Sequence, residues 1–356
     1  MDGSKAHIIK PIQSLRGIFA MLIFLHHFTI NKVPLNDTGN MCVVFFIVLT
    51  GVVLMLGYGR SDEHRLRYRD FMRRRMLRIY PVYFVTLLLA TVVVTVNRWA
   101  GLSPKFWADV FMVQTWIPVK SWFFSGNNPS WFVADYLYFY LLFPLLLALT
   151  RKHFRICLLG MCIVLAIYFI VLPHLPAAYS EGIVYVAPYT RVIDFSIGIL
   201  IGYVIVSQTE KDFRDRDVIK ATVLEIVVVG FLAVTYLTRT AVPEIYQWAS
   251  WWWVPVGLLV YCFVEMPFGP GLISRLLSMK LLVKSGDLSY SFFLSGFFCI
   301  DASRKIVSKT IGFWENYPWL TLVLSLTLCF ISSLIIYRFV ELPMIRRGSL
   351  AQRNRP

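Results

Sequence analysis

Residues 14–28, SLRGIFAMLIFLHHF, set one arginine near the start and two histidines near the end of an otherwise apolar run. Arg16 and His27 are eleven residues apart, which at 3.6 residues per turn leaves them about 20° from the same direction on a helix. They are separated by about 16 Å along its axis, and His26 lies about 80° off that face. Ionisable side chains in such a setting are costly and mark function by default. A guanidinium at the base of a helix and an imidazole higher up outline a polar track. The imidazole is suited to taking a proton from a hydroxyl near neutral pH. Two structural roles compete with this reading. Arg16 could be an interfacial anchor whose head reaches water, and His27 could be a packing histidine bonded to a backbone carbonyl.

Four further groups carry polar chemistry. In FMRRRMLRIYPVY, residues 71–83, Arg75 and Arg78 share a helix face, and guanidinium forks suit phosphate. In NNPSWFVADYLYFYLLFP, residues 127–144, Trp131 opens a span and Asp135 follows one turn later, where a carboxylate could orient an imidazolium. Arg191 and Asp194 are three apart in YTRVIDFSIGILIG, which fits a structural ion pair, with Gly198 and Gly202 as a small-residue packing face. Asp287 and Glu341 lie near basic segments and fit a role of tying arginines down.

The elements that must position these groups are read from composition. Of 356 residues, 58% are hydrophobic and only 15% charged, which excludes an ordinary soluble domain. Apolar runs of near bilayer-crossing length predict an all-α polytopic membrane protein with about ten spans. They fall at 12–31, 41–58, 79–97, 132–149, 155–173, 190–206, 219–238, 247–264, 287–300 (a short ninth) and 319–337. Residues 106–118, interrupted by Asp109 and Gln114, are expected to be interfacial or re-entrant. With the N-terminus in the cytoplasm, loops expected inside hold 24 Lys and Arg and those outside hold 8, a bias that places both termini inside. Most of the net charge of +15 is therefore topological, and nucleic acid is not an expected partner. One transmembrane domain over 1–356 is expected, with short cytoplasmic tails at 1–11 and 344–356 and no cleaved signal peptide. The six cysteines lack metal-type spacing and are expected to be core residues, so no metal is expected. Tryptophans at 99, 107, 116, 122 and 131, and at 248 and 251–253, fit an aromatic belt, with a sugar-stacking platform as the sharper reading.

Taken together these stretches resemble the integral-membrane acyltransferase family 3, which includes O-acetyltransferases of bacterial surface polysaccharides. Leu15, Arg16, Gly17, His27 and Phe28 fill its first-helix pattern. Val43, Phe45, Phe46, Leu49, Thr50 and Gly51 match its second-helix run. Arg75, Arg78, Ile79, Pro81 and Tyr83 match its arginine run, and Trp131 with Tyr140 to Pro144 its tryptophan helix. Arg191, Phe195 and Gly198, then Gly286, Ser289, Tyr290 and Leu294, and last Glu341 and Pro343 follow in order. Three positions depart. Tyr136 stands where the family has a glutamate, Gly296 where it often has a histidine, and Val44 where it has an aspartate.

The resemblance implies ten helices in a bacterial inner membrane. It also implies transfer of an acyl group, most simply acetyl, from cytoplasmic acyl-coenzyme A to a hydroxyl of a carbohydrate or glycolipid. Acyl-coenzyme A is then a donor substrate and no cofactor is bound. Arg75, Arg78 and Arg16 would hold its phosphates, with Ser289 and Tyr290 beside it. His27 would act as general base, with Arg16 and Asp135 completing the catalytic set, while Trp131, Arg191 and His26 would face the acceptor. An acyl-histidine intermediate and a homo-oligomer both stay open. Two other classes also fit the buried charges: a transporter or flippase of an anionic glycolipid or metabolite, and an inactive glycan-binding relative.

Overall fold

The computed structural model describes residues 9–28, 38–60, 66–94, 103–208 and 217–353. Fifteen α-helices follow one another with no β-strand among the described residues. They are α1 (Lys10–Phe28), α2 (Gly39–Tyr58), α3 (Tyr68–Val94), α4 (Pro104–Val110), α5 (Lys120–Phe123), α6 (Ser130–Val171), α7 (Ala177–Ser180) and α8 (Pro188–Ser207). Then come α9 (Val218–Leu237), α10 (Glu244–Gln247), α11 (Ser250–Glu265), α12 (Leu272–Leu277), α13 (Lys280–Thr310), α14 (Pro318–Ile336) and α15 (Leu342–Arg353). Each of the ten expected spans lies largely on one of these helices. Six segments among the described residues are long and apolar enough to cross a membrane by length and composition. Helix α11 has 16 residues, and in α1 the polar Gln13, Arg16, His26 and His27 offset the apolar ones.

Two expectations change. The third helix begins at Tyr68, before its apolar run, so Pro81 sits inside it rather than in its first turn and removes one intrahelical donor there. The short ninth span is the middle of a 31-residue helix, α13. The fourth and fifth spans lie on either side of His153, whose non-helical angles (φ −138°, ψ 50°) divide α6 into two helices at the boundary expected between them. The stretch 106–118 breaks into short pieces, α4 and a 3-10 turn at Gln114–Trp116. Lys5, Lys32, Arg98, Trp99, Lys211, Arg214 and Arg216 lie outside the described residues.

The helices gather into two compact units. The first holds α1 up to Ile18, α2 from Asn40, α6 from Leu142, helices α7 to α12, and α13 up to Asp287. Its close contacts are made through glycines. A side chain at Gly198 would strike the Val48 carbonyl, and one at Gly51 the Phe195 carbonyl, so α2 and α8 touch backbone to backbone. The Gly17 and Gly286 of the sequence motifs do the same for α1 and α13, against Ser285 and the Gln13 backbone. Glu225, 3% exposed on α9, accepts from the backbone N–H groups of Gly271 (2.9 Å), Ile273 (2.9 Å) and Ser274 (3.3 Å) at the start of α12. A carboxylate is a good partner for those donors, which a helix leaves unpaired at its first turn.

The second unit holds α1 from Phe19, helices α3 to α5, α6 up to Leu141, α13 from Leu288, α14 and α15. Its core is aromatic: Phe28, Phe71, Phe123 and Phe139 are each 2% exposed or less. The cysteine expectation holds for Cys42, Cys262, Cys299 and Cys329, which are buried, but Cys162 is exposed on α6.

Glu225→Gln is expected to lower the unfolding midpoint of the detergent-solubilised protein by about 5 °C. Charge-assisted bonds to backbone donors contribute about 1.5–3 kcal/mol. Differential scanning fluorimetry against Glu225→Asp measures it, and an unchanged midpoint would remove this role from Glu225.

Candidate active site

Helix α1 is unbroken from Lys10 to Phe28, so the face that Arg16 and His27 share survives in the structure. Near its C-terminal end the two histidines have different surroundings. The His27 ring meets the edge of Phe297 on α13, with centroids 5.8 Å apart and planes at 86°. The His26 ring lies over Gly39 at the start of α2, where even a methyl group would collide with it. The two imidazoles are 5.3 Å apart, centroid to centroid. Phe24, one turn earlier, packs on Phe292 at 5.5 Å and approaches Gly296 closely. A side chain at 296 would begin 3.3 Å from the Phe24 ring, which is tight for any residue and leaves little room for the histidine of the family pattern.

The arginine run of α3 forms a second polar region of the same unit. Arg75 stacks over Phe71 (5.5 Å) and Tyr140 (5.8 Å), whereas Arg78 is exposed. Tyr290 on α13 donates at 2.7 Å to the carbonyl of Ile79, the residue after Arg78. Ser289 is buried next to it in sequence. Ser291 donates to the buried Glu341 at 2.5 Å. Tyr136 takes part in a row of rings along α6. It stacks on Tyr140 at 5.9 Å and meets Phe132 at 4.9 Å. An aromatic column therefore stands where the family pattern has an acid, and its last ring is the one under Arg75. Trp131 and Asp135 are both buried on α6.

In the first unit Arg16 donates to Gln13 at 3.0 Å, and Gln13 donates to Asp287 at 2.7 Å, so the acid near the basic segment bonds an amide. Arg191 and Asp194 form the expected ion pair at 2.9 Å, with both side chains out of solvent. Arg191 also donates to the Trp248 carbonyl at 3.3 Å and lies over the Tyr185 ring at 5.7 Å. The indole of Trp253 donates to Asp194, that of Trp252 to the Gln247 carbonyl, and that of Trp251 to the Thr235 carbonyl. The second tryptophan cluster is thus tied into the protein: Trp252 is 1% exposed, so it offers no sugar-stacking face. Trp107 and Trp116, at 43% and 45%, keep exposed rings.

One polar cluster was only hinted at in the sequence, by the two polar residues that interrupt 106–118. Asp109 on α4 is 1% exposed and Gln114 is fully buried. Tyr83 on α3 donates to the Asp109 carbonyl at 2.6 Å and accepts from the Gln114 amide at 3.1 Å, while Ser125 donates to the Asp109 carboxylate at 3.1 Å. This knot pins the loop segment onto α3. Burial raises the Asp109 carboxyl to about 7, with the Ser125 hydroxyl opposing the shift. Among the described residues no group of three or more His, Cys, Asp and Glu could hold a metal ion.

Apolar helices of membrane-crossing length, with a histidine and arginines set among them, define a membrane protein. A family model described as an acyltransferase domain, the third acyltransferase family, matches residues 10–338, and the chain belongs to that family. It is similar to Acyltransferase MdmB of Streptomyces mycarofaciens, 26% identical over 385 positions that cover 98% of this chain and 94% of that protein. It is also similar to Staphylococcus aureus proteins carrying the designation "Putative O-acetyltransferase", SACOL0978 of strain COL and SAS0844 of strain MSSA476. Both are 22% identical over 373 positions covering 99% of this chain, which spans 60% of their length. No solved structure matches it. The protein is an acyltransferase of the membrane.

Because the folded state holds a proton on Asp109 that the unfolded chain releases near pH 4, stability is greatest below that pH. It falls as pH rises towards about 7 and is level above it. Its slope from this group is at most about 1.4 kcal/mol per pH unit. Asp109→Asn should flatten that part of a chemical-denaturation series between pH 4.5 and 7.5. An identical pH profile in the two proteins would show that Asp109 does not carry it.

Proposed function

We propose that the protein transfers an acyl group, most simply acetyl, from cytoplasmic acyl-coenzyme A to a hydroxyl of a cell-surface or lipid-linked carbohydrate in the inner membrane of a bacterium. The observation that carries this reading is the setting of His27. It is an imidazole on an apolar helix, held edge-on by Phe297, while its neighbour His26 is filled in against Gly39. His27 takes the proton of the acceptor hydroxyl, and the oxygen attacks the thioester carbonyl. The carbon–sulfur bond breaks as the tetrahedral intermediate collapses, and the proton on His27 passes to the leaving thiolate. Arg78, exposed on α3, and Arg75, stacked on its two rings, hold the donor's phosphates by charge-assisted bonds, with Tyr290 and Ser289 beside them. Arg16 supplies a cation at the opposite end of α1, and Asp135 orients the imidazolium.

Alkali-labile acyl groups on envelope glycans should fall at least about 100-fold in cells carrying His27→Ala and change little with His26→Ala at equal protein level. Equal acylation in all three strains would sink the assignment of the base. Arg75→Ala with Arg78→Ala should raise the KM for acetyl-coenzyme A by about tenfold or more with kcat less affected, because ground-state donor contacts are lost. An unchanged KM would remove the phosphate role.

A further inference from the structure

The far end of α13 carries two consecutive cations, and each is bonded to a backbone carbonyl of a different helix. Arg304 donates from Nη2 to the carbonyl of Phe28 on α1 at 2.7 Å. Lys305 donates from Nζ to the carbonyl of Val93 on α3 at 2.5 Å, and pairs with Asp301 at 3.4 Å. A charged donor bonded to a backbone carbonyl fixes that point of the chain by charge and by direction together. Arg304 is further fixed on its own side. Its guanidinium lies over the Trp314 ring at 4.4 Å and over the Phe28 ring at 5.8 Å, so it is sandwiched while it bonds.

We propose that Arg304 is a positioning residue for His27, holding the carbonyl next in the chain and so fixing the direction of the imidazole. The inference rests on the reading of His27 as the base. Phe28 is 2% exposed, so its carbonyl has little alternative in water if the guanidinium is removed. The backbone at Phe28 would then shift, and His27 is the residue before it. Displacement of a reacting group by about 1 Å can cost on the order of 100-fold in rate. Lys305 gives the internal control. It sits one residue away, makes the same kind of bond and holds α3 instead.

The test uses membrane vesicles bearing the full-length protein and the host's own envelope glycans, with radiolabelled acetyl-coenzyme A as the probe. Arg304→Ala should lower kcat about 10–100-fold with KM for acetyl-coenzyme A within about twofold, and Arg304→Lys should recover most of the loss. Lys305→Ala should keep kcat within about twofold although its unfolding midpoint falls. Unchanged kcat in Arg304→Ala, or an equal loss in Lys305→Ala, overturns the proposal. Should Arg304→Ala not be recovered folded, Trp314→Leu takes its place. It removes the stacking and leaves the bond, and it should lower kcat about 3–10-fold at constant KM, where an unchanged kcat overturns the proposal. His27→Ala is measured alongside. If it remains active, the assignment of the base fails; if it is inactive while Arg304→Ala is normal, only the positioning role fails.

Discussion

A polar group set among apolar helices has to find its partner within the protein, because the surrounding hydrocarbon offers none. Much of the polar chemistry described for this chain follows from that constraint. Glu225 takes the free donors of a helix start, and Asp194 takes Arg191 and an indole. The Asp109 knot fastens a loop segment that would otherwise carry bare backbone groups. Cations from α13 take backbone carbonyls of α1 and α3. Each of these ties fixes an element as well as satisfying an atom, so bonds made to avoid a penalty also set the geometry.

Against that background the residues assigned to chemistry are set apart by where they sit. His27 lies on a helix whose neighbours in the chain are nearly all apolar, and Arg78 is exposed on a face rich in arginine. Arg75 and Tyr290 stand between the two kinds of residue. Each is anchored, one by rings and the other by a carbonyl, with its polar group beside the arginine run. Family membership supplies the reaction class. The division of labour proposed above, with donor phosphates on α3 and proton transfer on α1, assigns each task to a separate helix.

Much of this was legible in the residues. Hydropathy located the helices, because long apolar runs have few alternatives in a bilayer. Three-residue spacing foretold the Arg191–Asp194 pair, and small residues at 198 and 202 foretold a close helix contact. What the residues report less well is how far a helix runs past its apolar stretch. The polar boundary at 150–154 does mark a division of α6, at His153. The third helix, however, already begins at Tyr68, which moves Pro81 inward. Trp252 and Trp253 are buried by tertiary contacts that no local pattern shows. The bonds from Arg304 and Lys305 to α1 and α3 join residues more than 200 positions apart, beyond any local pattern.

The close approach of Phe24 to Gly296 couples two distant positions. A Cβ at 296 would begin 3.3 Å from the Phe24 ring, so a larger residue there needs that ring to give by a few tenths of an ångström. The two positions therefore act as a pair rather than singly: a smaller residue at 24 eases a larger one at 296, and substitutions at the two are not additive.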